Sequence, residues 1–122
     1  MLKNVILVAL GGALGAALRY GLSTWFAMNF PLGTFLANII GCFLIGMFYS
    51  FANMKTITKE GQLLLSTGFC GGLTTMSTFM GDIFQLQDVP MSLWIYIFST
   101  LIVGAISTLL GITMGKLVGD QR

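Results

Sequence analysis

The chain has 122 residues, of which 56% are hydrophobic and 8% charged, with a formal net charge of +2. A soluble domain of this size carries about a quarter charged residues, so a mean hydropathy of +0.90 marks a membrane protein. Its length allows about four spans of roughly 20 residues and leaves no room for a second domain.

Span one is placed at about residues 4–28. Its start, MLKNVILVALGGALG, has the lysine, apolar run and small residues of a signal peptide. The apolar stretch continues through Arg19 to Met28, well past a signal h-region of roughly 7–15 residues, so a retained span is expected. Gly11 and Gly15 lie four apart, as do Gly12 and Ala16, a small-residue ridge that lets helix backbones approach closely in lipid. Arg19 is expensive inside a bilayer, about 2.5–3.5 kcal/mol on insertion scales. Two readings stand: it snorkels to the outer interface, or it lines an electropositive vestibule.

The stretch NFPLG forms a turn, with Pro31 and Gly33 as breakers. Span two follows at about 34–53, where Thr34, Asn38 and Gly41 share one helix stripe. Asn38 brings two N–H donors and one acceptor to mid-membrane, for an interhelical hydrogen bond or for the lining of a polar path. Cys42 and Cys70 lie in apolar surroundings without CxxC spacing and read as packing residues. The loop MKTITKEG carries Lys55, Lys59 and Glu60.

Span three, about 62–86, contains GFCGGLTTMSTFMGD, where adjacent glycines and a run of hydroxyls interrupt an apolar segment. Irregular backbone at membrane depth is tolerated only where protein buries it or it lines a cavity. A break is therefore expected near Gly71–Thr75. Its freed carbonyls suit a hard cation, while Ser77, Thr78 and Asn38 offer donors to an anion. Asp88 and Pro90 mark the next turn, and span four runs from about 92 to 118 with Gly104, Gly111 and Gly115 as a second small-residue ridge. The whole chain, 1–122, reads as one all-α transmembrane domain with its third helix broken at the centre.

Charge suggests an orientation. With four spans, Lys3, Lys55, Lys59, Lys116 and Arg122 share one side, and Arg19 alone stands against them. The positive-inside rule then puts both termini in the cytoplasm of a multi-pass protein of the cell membrane. Enzymatic chemistry is not expected. The chain has no histidine, the commonest acid–base catalyst, and no nucleophile–base pair, P-loop or dinucleotide fingerprint.

Three stretches, GGALGAALRY, GTFLANIIG and GFCGGLTTMSTF, resemble in order and spacing the Fluc (CrcB) fluoride channels, and the resemblance covers essentially the whole chain. It implies an antiparallel dimer of oppositely oriented subunits that cross at their broken third helices. Two fluoride pathways would run along the interface and export cytoplasmic fluoride passively, relieving its toxicity. It also implies a structural sodium ion held by the backbone carbonyls of Gly71 and Thr74, a pore asparagine at Asn38 and a vestibule arginine at Arg19. Lipid, fluoride and sodium are the expected partners, with no nucleic acid.

The pore-lining part of span three would be Met76, Ser77, Thr78 and Phe79. The family places two phenylalanines three apart there; Phe79 matches the second, while Met76 replaces the first. Asp82 stands where a glutamate is usual, as a vestibule group or as a plain helix-end carboxylate. The span-four hydroxyl track is matched by Thr100 and Thr108, with Gly104 in its middle and Ser107 one position away. Members that work as homodimers carry nearly balanced flanking charge. The five-to-one bias here suggests a heterodimer with an oppositely oriented homologue, although a homodimer or a non-conducting subunit remains an alternative. A four-span proton-coupled cation exporter is disfavoured, since it needs a carboxylate in span one and this span has none.

Overall fold

The computed structural model describes residues 1–120; Arg122, counted above with the cytoplasmic charges, lies outside the described residues. Three helices are continuous and apolar enough to cross a membrane: α1 (Leu2–Trp25), α2 (Leu32–Asn53) and α6 (Pro90–Gly119). The remaining apolar segment is assembled from pieces. These are α3 (Lys59–Gln62), a π-helical stretch (Leu63–Cys70), α4 (Gly71–Leu73), two extended residues and α5 (Met76–Gln85). No strand occurs among the described residues.

The expected boundaries shift in instructive ways. The first helix ends at Trp25, before residue 28, and Pro31 stands immediately before α2. The last helix starts on Pro90 itself, two residues before the expected start at 92. Proline lacks an N–H and has a preset φ, so it fits the first helical position, where the N–H would be an orphan anyway. The π winding is a correction to the α-helix expected from residue 62 up to the break.

Glycine contacts explain the packing. A Cβ on Gly15 would stand 2.7 Å from the Leu73 nitrogen, and one on Gly72 would stand 2.9 Å from the Gly12 Cα. Gly68, within the π stretch, meets the Val8 carbonyl in the same way at 2.8 Å. The ridge on α1 is thus the seat of the π-helical stretch and of α4, at backbone-to-backbone distance. On the other side α2 packs along α6. Gly111 there lies against the Phe43 carbonyl and Gly46 against that of Thr108, and the Ser50 hydroxyl donates to the Ile112 carbonyl at 2.8 Å.

The residues buried by this packing are few, and most large apolar side chains point outward. Such a surface is stable in lipid or against another subunit, but not in water. One compact cluster forms where α5 meets α6: Phe79, Leu86 and Tyr96, with Phe30, Phe35 and Ile83 packed around them. At the opposite end the Lys3 ammonium lies 3.4 Å from Glu60. This pair holds the start of α1 beside α3, so the N-terminus and the loop before α3 share one end of the molecule. The Glu60 backbone amide and then Lys3 hold the Glu60 carboxyl below its usual range.

Candidate functional site

The helix break falls at Thr74–Thr75, inside the expected window. Both residues are extended, with φ/ψ of −77°/149° and −150°/128°. Asn38 of α2 clamps the break from the side. Its Oδ1 accepts from the Thr75 N–H at 2.8 Å, and its Nδ2 donates to the Thr75 carbonyl at 3.3 Å. The interhelical reading of Asn38 therefore holds, and one Nδ2 hydrogen is left over for the space beside it. The stripe continues as expected: a Cβ on Gly41 would collide with the Thr74 methyl group.

Two hydroxyls finish the junction. Thr74 Oγ1 donates to the Cys70 carbonyl at 2.9 Å. Thr75 Oγ1 caps α5 by accepting the Thr78 N–H at 3.2 Å. These bonds redirect two helical donors. In an unbroken helix the Thr75 N–H would bond the Gly71 carbonyl, and the Thr78 N–H would bond that of Thr74. Here the Thr75 N–H goes to Asn38 and the Thr78 N–H to the Thr75 hydroxyl. Among the described residues, the Gly71 and Thr74 carbonyls thus do not receive their helical amides, and free backbone oxygens are ligands that a hard cation can take. Gly71 is exposed, and a side chain there would meet nothing within 4 Å.

A cavity of about 500 Å³ lies beside the break. Asn38, Cys42, Thr74, Thr75, Met76, Phe79, Thr100, Gly104 and Thr108 help to line it. It collects residues from α2, the break, α5 and α6 that are far apart in sequence. Met76 is 69% exposed on its rim, whereas Phe79 is buried and packs on Tyr96 with ring centroids 5.2 Å apart. Thr100 donates its hydroxyl hydrogen to the Tyr96 carbonyl at 2.7 Å, and Thr108 donates to that of Gly104 at 3.0 Å. As they stand, these two hydroxyls offer the cavity lone pairs and no hydrogen.

Asp82 belongs to a second, smaller space. It is buried, and the Tyr96 hydroxyl donates to its Oδ2 at 2.9 Å. It lines a cavity of about 180 Å³ with Ser23, Thr34, Thr78 and Gln85. The plain helix-end reading of Asp82 therefore does not describe its surroundings. Ser77 is exposed and Ser107 half-buried, and neither lines these cavities. Arg19 is half-buried on α1, also outside both, with no ion pair to another described residue.

Sequence reasoning missed Tyr96, which is fully buried between Phe30, Phe79 and Asp82. The signal was present, since Tyr96 lies one turn before Thr100 on the same four-residue spacing. It also weighed Thr75 only as one hydroxyl among several, whereas Thr75 carries the cap and both bonds to Asn38.

Lipid-facing helices, a helix broken between extended threonines and a polar-lined cavity at the break together define a membrane protein of the channel or transporter type. The family model described as CrcB-like protein, Camphor Resistance (CrcB), matches residues 6–112. A fluoride-specific ion channel FluC of Phocaeicola vulgatus is 39% identical over 121 residues, covering 94% of this chain and 100% of that relative. Fluoride-specific ion channel FluC 2 of Bacillus subtilis is 41% identical over 118 residues, covering 94% of this chain and 90% of that relative. FluC 1 of Streptococcus pneumoniae is 40% identical over 111 residues, covering 90% and 98%. The chain belongs to the CrcB family, whose named relatives are ion channels and not enzymes.

Proposed function

We propose that this chain is a subunit of a passive, fluoride-selective channel that lets fluoride leave the cytoplasm. The observation that carries the reading is the Thr74–Thr75 break, held by Asn38 in the wall of a cavity shared with Met76, Phe79, Thr100 and Thr108. The names of the relatives point to the same ion.

The chemistry follows from fluoride's small size and strong hydration. A path for it must replace water with donors. Asn38 supplies its second Nδ2 hydrogen, and the first amides of α5, at Met76 and Ser77, are orphans of a helix N-terminus that favours negative charge. The edge of the Phe79 ring is electropositive because of the ring quadrupole. Thr100 and Thr108 would join only by rotating their hydroxyls off their own helix. In this reading sodium bound by the Gly71 and Thr74 carbonyls adds a fixed positive charge at the break. Arg19, Ser77, Ser107 and Asp82 remain proposed contributors along the route and at its mouths.

The broken segment counts as the third of four spans, and the chain works as an antiparallel dimer with two pathways. The lysine bias favours, for this chain, the orientation with both termini in the cytoplasm, and its antiparallel partner is then inserted the other way up. Hydrogen fluoride enters neutral and dissociates in a less acidic cytoplasm, and the inside-negative potential then drives the anion out. The same bias, together with a thioether at Met76 in place of a ring, supports a second reading: a subunit that conducts only with an oppositely oriented homologue.

Fluoride efflux from liposomes holding this chain alone, read with a fluoride electrode, is the test. Rapid efflux with none of chloride is expected. Silence from folded protein, restored by adding the homologue, would move the conclusion to the second reading; silence in both cases would overturn both. A C-terminal topology reporter checks the orientation, and equal signal on the two sides of the membrane would refute the bias argument.

A further inference from the structure

A third cavity lies apart from the break, at the end of the molecule where Lys3 meets Glu60. It measures about 470 Å³ and is lined by Asn4, Lys59, Glu60, Gln62, Leu63 and Thr67. Its lining joins the first turn of α1 to α3 and the start of the π-helical stretch. We propose that this cavity seats the headgroup of an anionic phospholipid, with the Lys59 ammonium on the phosphate and the Asn4 and Gln62 amides as further donors.

Charge and position select that ligand. Glu60 would repel an anion by itself, but Lys3 neutralises it at 3.4 Å. Lys59 makes no ion pair with another described residue, which leaves one net positive charge. A singly charged phosphodiester matches it better than a doubly charged free phosphate, and better than a zwitterionic headgroup that brings its own cation. Leu63 and Thr67 continue the lining one to two turns along the membrane-spanning segment, so the occupant has a charged head above an apolar body. Basic pockets at helix ends on one membrane face recognise lipid headgroups in this way. The inference rests on the chain spanning a bilayer and not on what passes through it.

The experiment uses the full-length, delipidated protein in mild detergent, with bound lipid counted by native mass spectrometry. Phosphatidylglycerol should be retained over phosphatidylcholine. Lys59→Gln should lower phosphatidylglycerol retention about five-fold, as expected for one lysine near an anionic surface, and leave phosphatidylcholine unchanged. Lys116→Gln removes a lysine outside the cavity and should have no such effect; a loss equal to that of Lys59→Gln would overturn the proposal in favour of general surface charge. Millimolar inorganic phosphate should not displace the lipid. Displacement would make the site one for free phosphate and would equally overturn it. An unchanged thermal midpoint in phosphatidylcholine shows that the variants are folded, and equal retention of phosphatidylglycerol by folded Lys59→Gln would also refute it.

Discussion

Asn38→Asp separates the structural from the conducting role of the break most sharply. The substitution keeps an oxygen for the Thr75 N–H, which Asn38 accepts at 2.8 Å, but replaces the amide that donates to the Thr75 carbonyl at 3.3 Å. The lost bond leaves a carbonyl facing a carboxylate oxygen, a penalty of about 1–3 kcal/mol for a buried polar group left unsatisfied. The larger effect is on the anion. A fluoride roughly 5 Å from the new charge, at an effective dielectric of about 20, is repelled by about 3 kcal/mol. In rate this is roughly a 200-fold fall. The assay is fluoride efflux from liposomes at matched protein density. Asn38→Ser serves as a neutral companion that loses the clamp without gaining charge. Efflux from Asn38→Asp within a few-fold of the unaltered chain would remove Asn38 from the path and leave it only its bonds to Thr75.

Other substitutions probe the remaining parts. Met76→Phe adds a ring where the side chain is already 69% exposed, so nothing in its own chain opposes it; an aromatic edge is worth about 0.5–1.5 kcal/mol, and fluoride efflux should rise roughly two- to tenfold. A fall would show that the thioether is not a deficit. Tyr96→Phe keeps the packing on Phe79 and Phe30 but strips Asp82 of its donor, which should lower stability by about 1–3 kcal/mol in detergent unfolding. An unchanged unfolding midpoint would mean that Asp82 finds another partner. Gly15→Leu should loosen α1 from α4, since a Cβ there meets the Leu73 nitrogen at 2.7 Å, a loss of about 1–3 kcal/mol or more; Gly21→Ala, with open space around it, should be tolerated, and equal stability of the two would refute the packing argument. The Glu60 carboxyl titrates lower when folded, so its contribution is present above the ordinary value of 4.5 and is lost as pH falls through the lowered one. Thermal midpoints measured from pH 6 down to pH 3 should show that loss, and Lys3→Gln should reduce it.

Much of the architecture was legible because lipid imposes simple demands. Apolar runs of span length, the turn at Pro31, the small-residue ridges on α1 and α6 and the break after Gly71–Gly72 all follow from local chemistry. The Thr34–Asn38–Gly41 stripe could be placed on one helix face, and the structure turns Asn38 and Gly41 toward the break. What escaped was anything set by a distant partner. The π winding coincides with the close approach of Gly68 to Val8 and Gly11, and no pattern within LLLSTGFC announces it. Tyr96 drew no notice because its role is set by Asp82, fourteen positions earlier, which receives its hydroxyl hydrogen. Thr100 and Thr108 line one cavity, but spacing says nothing of where a hydroxyl hydrogen goes.

The redirected hydrogen bonds give the break its logic. A helix can be interrupted in lipid only if every freed donor and acceptor finds a partner. Here Asn38 and the Thr75 hydroxyl take two of the four freed amides, those of Thr75 and Thr78, and by doing so they withhold them from the Gly71 and Thr74 carbonyls. The acceptor side is then left open as a necessary consequence, and oxygen lone pairs left open at membrane depth require a cation, water or another chain. The clamp that stabilises the break is therefore also what creates the need for something at its open face. Asn38 and Thr75 should for that reason couple energetically to whatever binds Gly71 and Thr74, although neither touches it. Thr75→Val tests the coupling: without the hydroxyl, the Thr78 amide is free to return to the Thr74 carbonyl. Sodium dependence of unfolding, if the intact chain shows it, should then weaken. Retention of the full sodium effect in Thr75→Val would break the link between the cap and the open carbonyls.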